Sequence, residues 1–302
     1  MSGIKEIREH IESVRSTQKV TNAMYLISST KMRRAKEDLA KTRPFFDALS
    51  GEIEQIFQHA GAIDSPYFHN GDADDPRQPG TYAYLVITAD RGLAGAYNQN
   101  VIQETLRRLE KHPDSRLFVV GGNGRHYFSA HGVPVEESFH YGAQSPTLQR
   151  AREITALLLD LFDRKEISKL FMIYTDFSGV EMKVRTARLL PLENERFDTG
   201  REYFHEMRYE PSPAEVLAKV VPAYVTGFLY SAMVDSFCAE QNARAEAMDA
   251  ANQNEEDLLH DLQLEYNHER QGAITNEITE VSAGARSKKN HSGKGAQQHA
   301  HR

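Results

Sequence analysis

The sequence predicts an α/β protein: a long antiparallel coiled coil of the N- and C-terminal helices, with an inserted open, mostly parallel α/β domain. Three observations carry this. Apolar residues recur at 4/3 spacing from residue 4 to residue 56. A second helix-forming stretch opens at residue 212 and meets no strong stop before about 284. Between them, residues 82–192 alternate short β-branched and aromatic runs with helical segments. The expected divisions are an N-terminal coiled-coil helix (1–58), a linker (59–81), the α/β domain (82–205), a C-terminal coiled-coil helix (206–285) and a basic, disordered tail (286–302).

The first helix carries the seam Ile4, Ile7, Ile11, Val14, Gln18, Thr21, Tyr25, Ser28, Met32, Ala35, Leu39, Thr42, Phe46, Leu49, Ile53, Ile56. Twelve of these sixteen are apolar or aromatic, as a helix–helix seam requires. Where the seam turns polar, Val20, Met24 and Ile27 form a second stripe, so a further partner surface is expected there. Pro44 should bend the helix without necessarily ending it. The C-terminal helix opens on "SPAEVL", with Ser212 as N-cap, Pro213 at the first helical position and Glu215 as the returning carboxylate.

Runs 82–88, 116–122, 169–175 and 183–192 read as strands, with 133–139 a weaker fifth; helices are expected near 97–111, 124–131 and 146–163. The last of these begins "SPTL", with Ser145 as cap and Pro146 at its first position. This alternation implies a Rossmann-like open sheet. The segment 59–80 is polar and rich in Gly and Pro, hence a linker.

Composition excludes several function classes. Net charge is −7, and residues 286–302 hold five Lys or Arg and no acid, leaving 31 bases against 43 acids, or −12, for residues 1–285. So acidic a body suits no nucleic acid. The single cysteine, Cys238, forms neither an intramolecular disulfide nor a zinc site and fits a reducing compartment. The chain's early helix leaves no visible targeting segment, and the longest uncharged run, 220–234, is 15 residues where a span needs about 20. No membrane crossing is expected.

Two glycine-rich turns, "ITADRGLAGAYN" (87–98) and "VVGGNGRHYF" (119–128), follow strands and open helices as phosphate-binding turns do. Neither has the G-x-G-x-x-G or P-loop spacing. Asp90 and Arg91 are expected to pair locally or face another subunit. The thirteen histidines form no catalytic or metal pattern; no cofactor and no metal is expected. From these residues a nucleotide-dependent enzyme using the central domain and a free-standing coiled-coil scaffold both remain open readings.

The stretch "EYNHERQGAITNEITEV" (265–281) poses a further question: a helix that places Arg270, Gln271, Thr275 and Asn276 among its apolar positions, with Gly272 in its middle. Together with "KEIREHIESVRSTQKVTNAM", "STKMRRA" and "TADRGLAGAYN", it resembles the γ subunit of F-type ATP synthases over about residues 1–285. The resemblance implies a non-catalytic rotor shaft, one copy per complex, coupling ion-driven rotation to the β-subunit sites. Implied partners are the α and β subunits, the ε subunit and the c-ring, at the cytoplasmic face of a bacterial plasma membrane. On that resemblance Arg270, Gln271, Thr275 and Met24 face a β subunit, and Tyr209 and Glu210 lie toward the c-ring and ε. Lys31–Met32 match the first-helix motif. Tyr25 and Leu26 stand where an acidic residue and Met are common, and Ala94 replaces the usual Cys.

Overall fold

A computed structural model describes residues 2–60, 65, 67–69, 81–177, 182–193, 197 and 208–297, with side chains omitted at 2, 58–60, 69, 193 and 285–297. Most of the expected linker therefore lies outside the described residues. Two helices dominate, α1 (Ser2–Ala60) and α5 (Pro213–Gln297). The chain forms two compact units: Leu26–Ala247, and Met1–Tyr25 with Met248–Arg302.

In the larger unit a four-stranded sheet is built from β2 (Tyr82–Ile87), β3 (Arg116–Val120), β4 (Lys169–Phe177) and β5 (Met182–Leu190), in the order β3-β2-β4-β5. β2 runs parallel to both neighbours, with Leu85 opposite Phe118 on one side and Met172 on the other. β5 is antiparallel to β4, so the sheet is mixed with three parallel strands. A two-residue pair, β1 (Phe68–His69) and β6 (Leu192–Glu193), lies apart from it.

Alternate residues of β2 feed two cores. Ala83, Leu85 and Ile87 join α4 (Leu148–Asp163) and the facing stretches of α1 and α5. Tyr82, Tyr84 and Val86 join α2 (Tyr97–Lys111) and α3 (Gly122–Ala130). Burial on both faces explains why the strand reads as an unbroken apolar run rather than an alternation.

The α1 seam is buried or half-buried at every position, including its polar members. Pro44 lies inside α1, and the helix continues to Ala60. Ser212 caps α5 as expected, accepting from the Glu215 amide at 3.3 Å. Gly227, inside α5, is set by packing: a Cβ there would fall 2.0 Å from Phe46 Cδ1. α5 also holds a stretch long and apolar enough for a span, but 56% of it is buried in the protein. Core packing accounts for its apolar character.

Three expectations are corrected. Residues 133–139 form no strand; their Glu136 amide donates to the Leu117 carbonyl, and only Tyr141 bridges Val120, so the segment covers the sheet edge without extending it. α4 starts at Leu148 rather than Pro146, because Thr147 is the cap and accepts from the Arg150 amide at 3.2 Å, while Ser145 sits at φ 53°. α5 does not end near 285 but runs to Gln297. Glycines 284, 293 and 295 weaken a helix without removing an amide donor, and no proline follows Pro222 within it.

In the smaller unit, Ile7, Ile11 and Val14 of α1 pack with Leu259, Leu262 and Tyr266 of α5. Nearby, Thr21 Oγ1 lies 2.5 Å from Asn252 Oδ1 and 3.0 Å from Glu255 Oε2. Ascending numbers on α1 meet descending ones on α5, so the pair is antiparallel.

Candidate functional site

The glycine turns are filled by the protein itself. Thr88, at the end of β2, donates its hydroxyl to the Val120 carbonyl and accepts from the Gly124 amide. A Cβ on Gly121, at φ 99°, would meet the Thr88 carbonyl oxygen at 2.3 Å; one on Gly124 would meet Thr88 Oγ1 at 2.5 Å. These glycines make room for Thr88, not for a ligand. Asp90 then occupies the start of α3, where a phosphate-binding turn places its anion. Its Oδ1 accepts from the Gly122 amide at 3.0 Å, and its Oδ2 from the amides of Ala143 and Gln144 at 2.9 Å each. Asp90 thus pairs locally, with backbone amides rather than with Arg91.

The other turn folds onto α5. Ala89, Ala94 and Tyr97 pack with Ala239 and Ala243, and the Ala89 amide donates to Asn98 Oδ1 at 2.9 Å. Beneath it Arg244 and Glu240 form a buried ion pair at 2.7 Å, and Arg244 also donates to the Gly92 carbonyl at 3.1 Å. Burial raises the pKa of Glu240, against the pull of Arg244. Sequence reasoning missed this pair; its signal was the i, i+4 spacing of Glu and Arg in "EQNAR", a pattern equally common on exposed helix faces.

A cleft of about 680 Å³ lies among α2, β5 and α5, touching Tyr97, Gln103, Met182 and Glu246. Its charged groups are already engaged: Glu104 pairs with Arg107 and Arg108 and accepts from Thr186. Among the described residues no three His, Cys, Asp or Glu side chains cluster as metal ligands.

Along α5, apolar packing against α1 reaches Tyr266. Beyond it Arg270, Gln271, Thr275 and Asn276 are exposed, as are Ile274, Ile278 and Val281 at i, i+4, i+7. Thr275, inside α5, donates its hydroxyl back to the Gln271 carbonyl at 2.9 Å; among the described residues the side chains of Arg270 and Gln271 make no hydrogen bond. Gly272 faces open space. The structure thus groups Arg270, Gln271 and Thr275 on one exposed stretch of α5. Met24 is not among them: it is half-buried near the Thr21–Asn252 end of the seam, beside exposed Val20 and Ile27. In the larger unit Glu210 is exposed, while the ring of Tyr209 packs against the main core. Burial, and then Glu52, raise the Tyr209 pKa.

A family model described as ATP synthase matches residues 3–287. The ATP synthase gamma chain of Acetivibrio thermocellus is 40% identical over 297 residues, covering 94% of this chain and 99% of that one. The sodium ion specific ATP synthase gamma chain of Acetobacterium woodii is 32% identical, with 93% and 97% covered. Among solved structures, a chain of the Euglena gracilis mitochondrial ATP synthase (OSCP/F1/c-ring) aligns with TM-score 0.64 at 17% identity, covering 97% of this chain and 96% of that one. One from the Tetrahymena thermophila central stalk/c-ring gives 0.55 at 20% identity, covering 77% and 99%. Matched over residues 3–287 by the model and over more than nine-tenths of its length by these relatives, the chain belongs to the ATP synthase gamma chain family.

Proposed function

We propose that this chain is the central rotor shaft of an F-type ATP synthase, coupling ion-driven rotation of a c-ring to ATP synthesis or hydrolysis at β-subunit sites. The observation that carries the reading is the α5 stretch from His268 to Gly284, exposed at every residue except the half-buried Ala273. Polar and apolar groups alternating around a helix without a seam partner suit a surround of different protein surfaces, met in turn as the helix rotates. The shaft itself is non-catalytic. It joins α, β and ε subunits and the c-ring in single copy, at the cytoplasmic face of a bacterial plasma membrane.

Arg270 and Gln271 grip a β-subunit loop from two directions, being adjacent and so about 100° apart. Each charge-assisted bond is worth roughly 1.5–3 kcal/mol, enough to bias one β conformation and weak enough to release. Thr275 and Met24 add contacts to β; Glu210, with the Tyr209 backbone beside it, faces the c-ring and ε. A nucleotide-dependent enzyme is disfavoured because Thr88 and Asp90 fill the turn a phosphate would need. The test is ATP hydrolysis and ATP-driven ion pumping in membranes normalised for assembled complex. Arg270→Ala/Gln271→Ala should lower turnover at least about tenfold, one lost charge-assisted bond, whereas Glu256→Ala should change it little. Near wild-type rates in the double variant would remove these residues as the grip. Absence of α and β from a pull-down with the wild-type chain would remove the shaft reading itself.

A further inference from the structure

The turn after β2 is held from three sides, yet its tip is pushed into solvent. Leu93 adopts a left-handed backbone, φ 61°, with its side chain 64% exposed. A leucine gains nothing from either condition by itself, since left-handed backbone is costly for a non-glycine residue and exposure forgoes burial. On one side the Ala89 amide donates to Asn98 and the Asp90 carboxylate accepts from Gly122, Ala143 and Gln144. On the other, Ala94 sits in the small-residue patch of Ala239 and Ala243. The third hold is Arg244, whose Nη2 donates to the Gly92 carbonyl at 3.1 Å, while its Nη1 lies 2.7 Å from Glu240 Oε1.

That hold is expensive. The Glu240 and Arg244 side chains are only 3% and 11% exposed, and Glu240 Oε2 is buried with no hydrogen-bond partner. Burying an ion pair costs desolvation that its attraction seldom recovers, so a hydrophobic pair would hold α5 at least as well. What a hydrophobic pair could not do is reach a turn carbonyl with a fixed donor. A guanidinium can, because its planar fork serves the carboxylate and the carbonyl together.

We propose that Glu240 and Arg244 are positioning residues: a clamp on α5 that fixes the 91–93 turn, so that Arg91 and Leu93 are presented outward in one conformation as α5 moves. Glu240 orients the guanidinium; Arg244 holds the Gly92 carbonyl; Asp90 anchors the opposite side. The turn then travels with α5 as a rigid knuckle instead of a loose loop. The consequence for coupling rests on the rotor-shaft reading; the clamp itself does not.

The test uses the full-length chain and the assembled complex with Arg244→Ala, Arg244→Lys and Glu240→Gln. Deuterium uptake is followed in peptides spanning residues 89–97, with residues 148–163 of α4 as the reference for global unfolding. Arg244→Ala should speed exchange in 89–97 about tenfold or more, the loss of one charge-assisted bond, and leave α4 unchanged. Arg244→Lys, which keeps one charged donor, should recover part of the protection. Should the alanine variant fail to fold, the lysine and Glu240→Gln variants carry the comparison. In inverted vesicles Arg244→Ala should consume at least about twice the ATP per ion pumped, with partial rescue by lysine. Wild-type exchange in 89–97 for all three variants overturns the clamp. Faster exchange with wild-type pumping per ATP overturns the positioning role. If the wild-type chain does not join a catalytic head, the shaft reading fails on its own and the clamp stands or falls on exchange.

Discussion

Asp90 shows how one side chain can decide what a turn does. Three backbone amides that would otherwise point at solvent or a ligand converge on its carboxylate. Asp90→Ala leaves all three without that acceptor and should cost about 2–4 kcal/mol, since bonds to a charged group run to about 1.5–3 kcal/mol each and water replaces part of the loss. Urea unfolding of the full chain measures it; a loss below about 0.5 kcal/mol would mean the turn holds without the carboxylate. Asp235 is the opposite case, a half-buried carboxylate whose pKa is pushed up to about 6, first by burial and then by Asp176, against Arg43 and Lys36. A folded pKa above the unfolded one means the folded state binds the proton more tightly. Ionised Asp235 therefore costs stability, and the cost is absent below the unfolded value near 3.8 and grows as pH rises through about 6. Asp235→Asn should accordingly stabilise the chain by about 1–2 kcal/mol at pH 8, discounted for partial exposure, and by almost nothing at about pH 3. A gain equal at both pH values would assign the effect to something other than this titration.

At the scale of elements, helices were the most legible part of the sequence and their ends the least. Every seam position of α1 from Ile4 to Ile56 is buried or half-buried, because a 4/3 spacing keeps one stripe facing the same way along a helix. In the second stripe Val20 and Ile27 are exposed and Met24 is half-buried. The polar seam residue Thr21 is explained by partners no local pattern reveals: Asn252 and Glu255 lie over two hundred residues away. Gly227 makes the same point. Read locally it weakens α5; in the structure it is the only residue type that admits the Phe46 ring. Gly227→Ala should therefore destabilise by about 1–2 kcal/mol, overpacking outweighing the roughly 1 kcal/mol of helix propensity gained. Combining it with Phe46→Leu should recover part of the loss in thermal melts. If Gly227→Ala alone stabilises, the close approach is not a constraint.

For the whole molecule, the central domain has the strand–turn–helix order of a nucleotide-binding domain with its anion seat occupied from within. Equilibrium dialysis of the full chain against ATP and NAD should show no stoichiometric binding below about 100 μM, a dissociation constant equivalent to roughly −5.5 kcal/mol. Tight binding of either would revive the enzyme reading. The sequence by itself determined the α/β class, the two long helices, the four main strands and the family, since these follow from periodicities and motifs written in consecutive residues. It also showed Arg270, Gln271 and Thr275 as polar groups set among apolar helix positions, which the structure leaves exposed, because such groups are visible in any linear reading. Only the tertiary structure decided that Asp90 plugs its own turn, that Arg244 reaches Gly92, that Tyr209 is packed inward and that residues 133–139 cover an edge without joining it. Each of those depends on groups distant in sequence meeting in space, where one donor or one missing Cβ settles which of several locally equal arrangements is adopted.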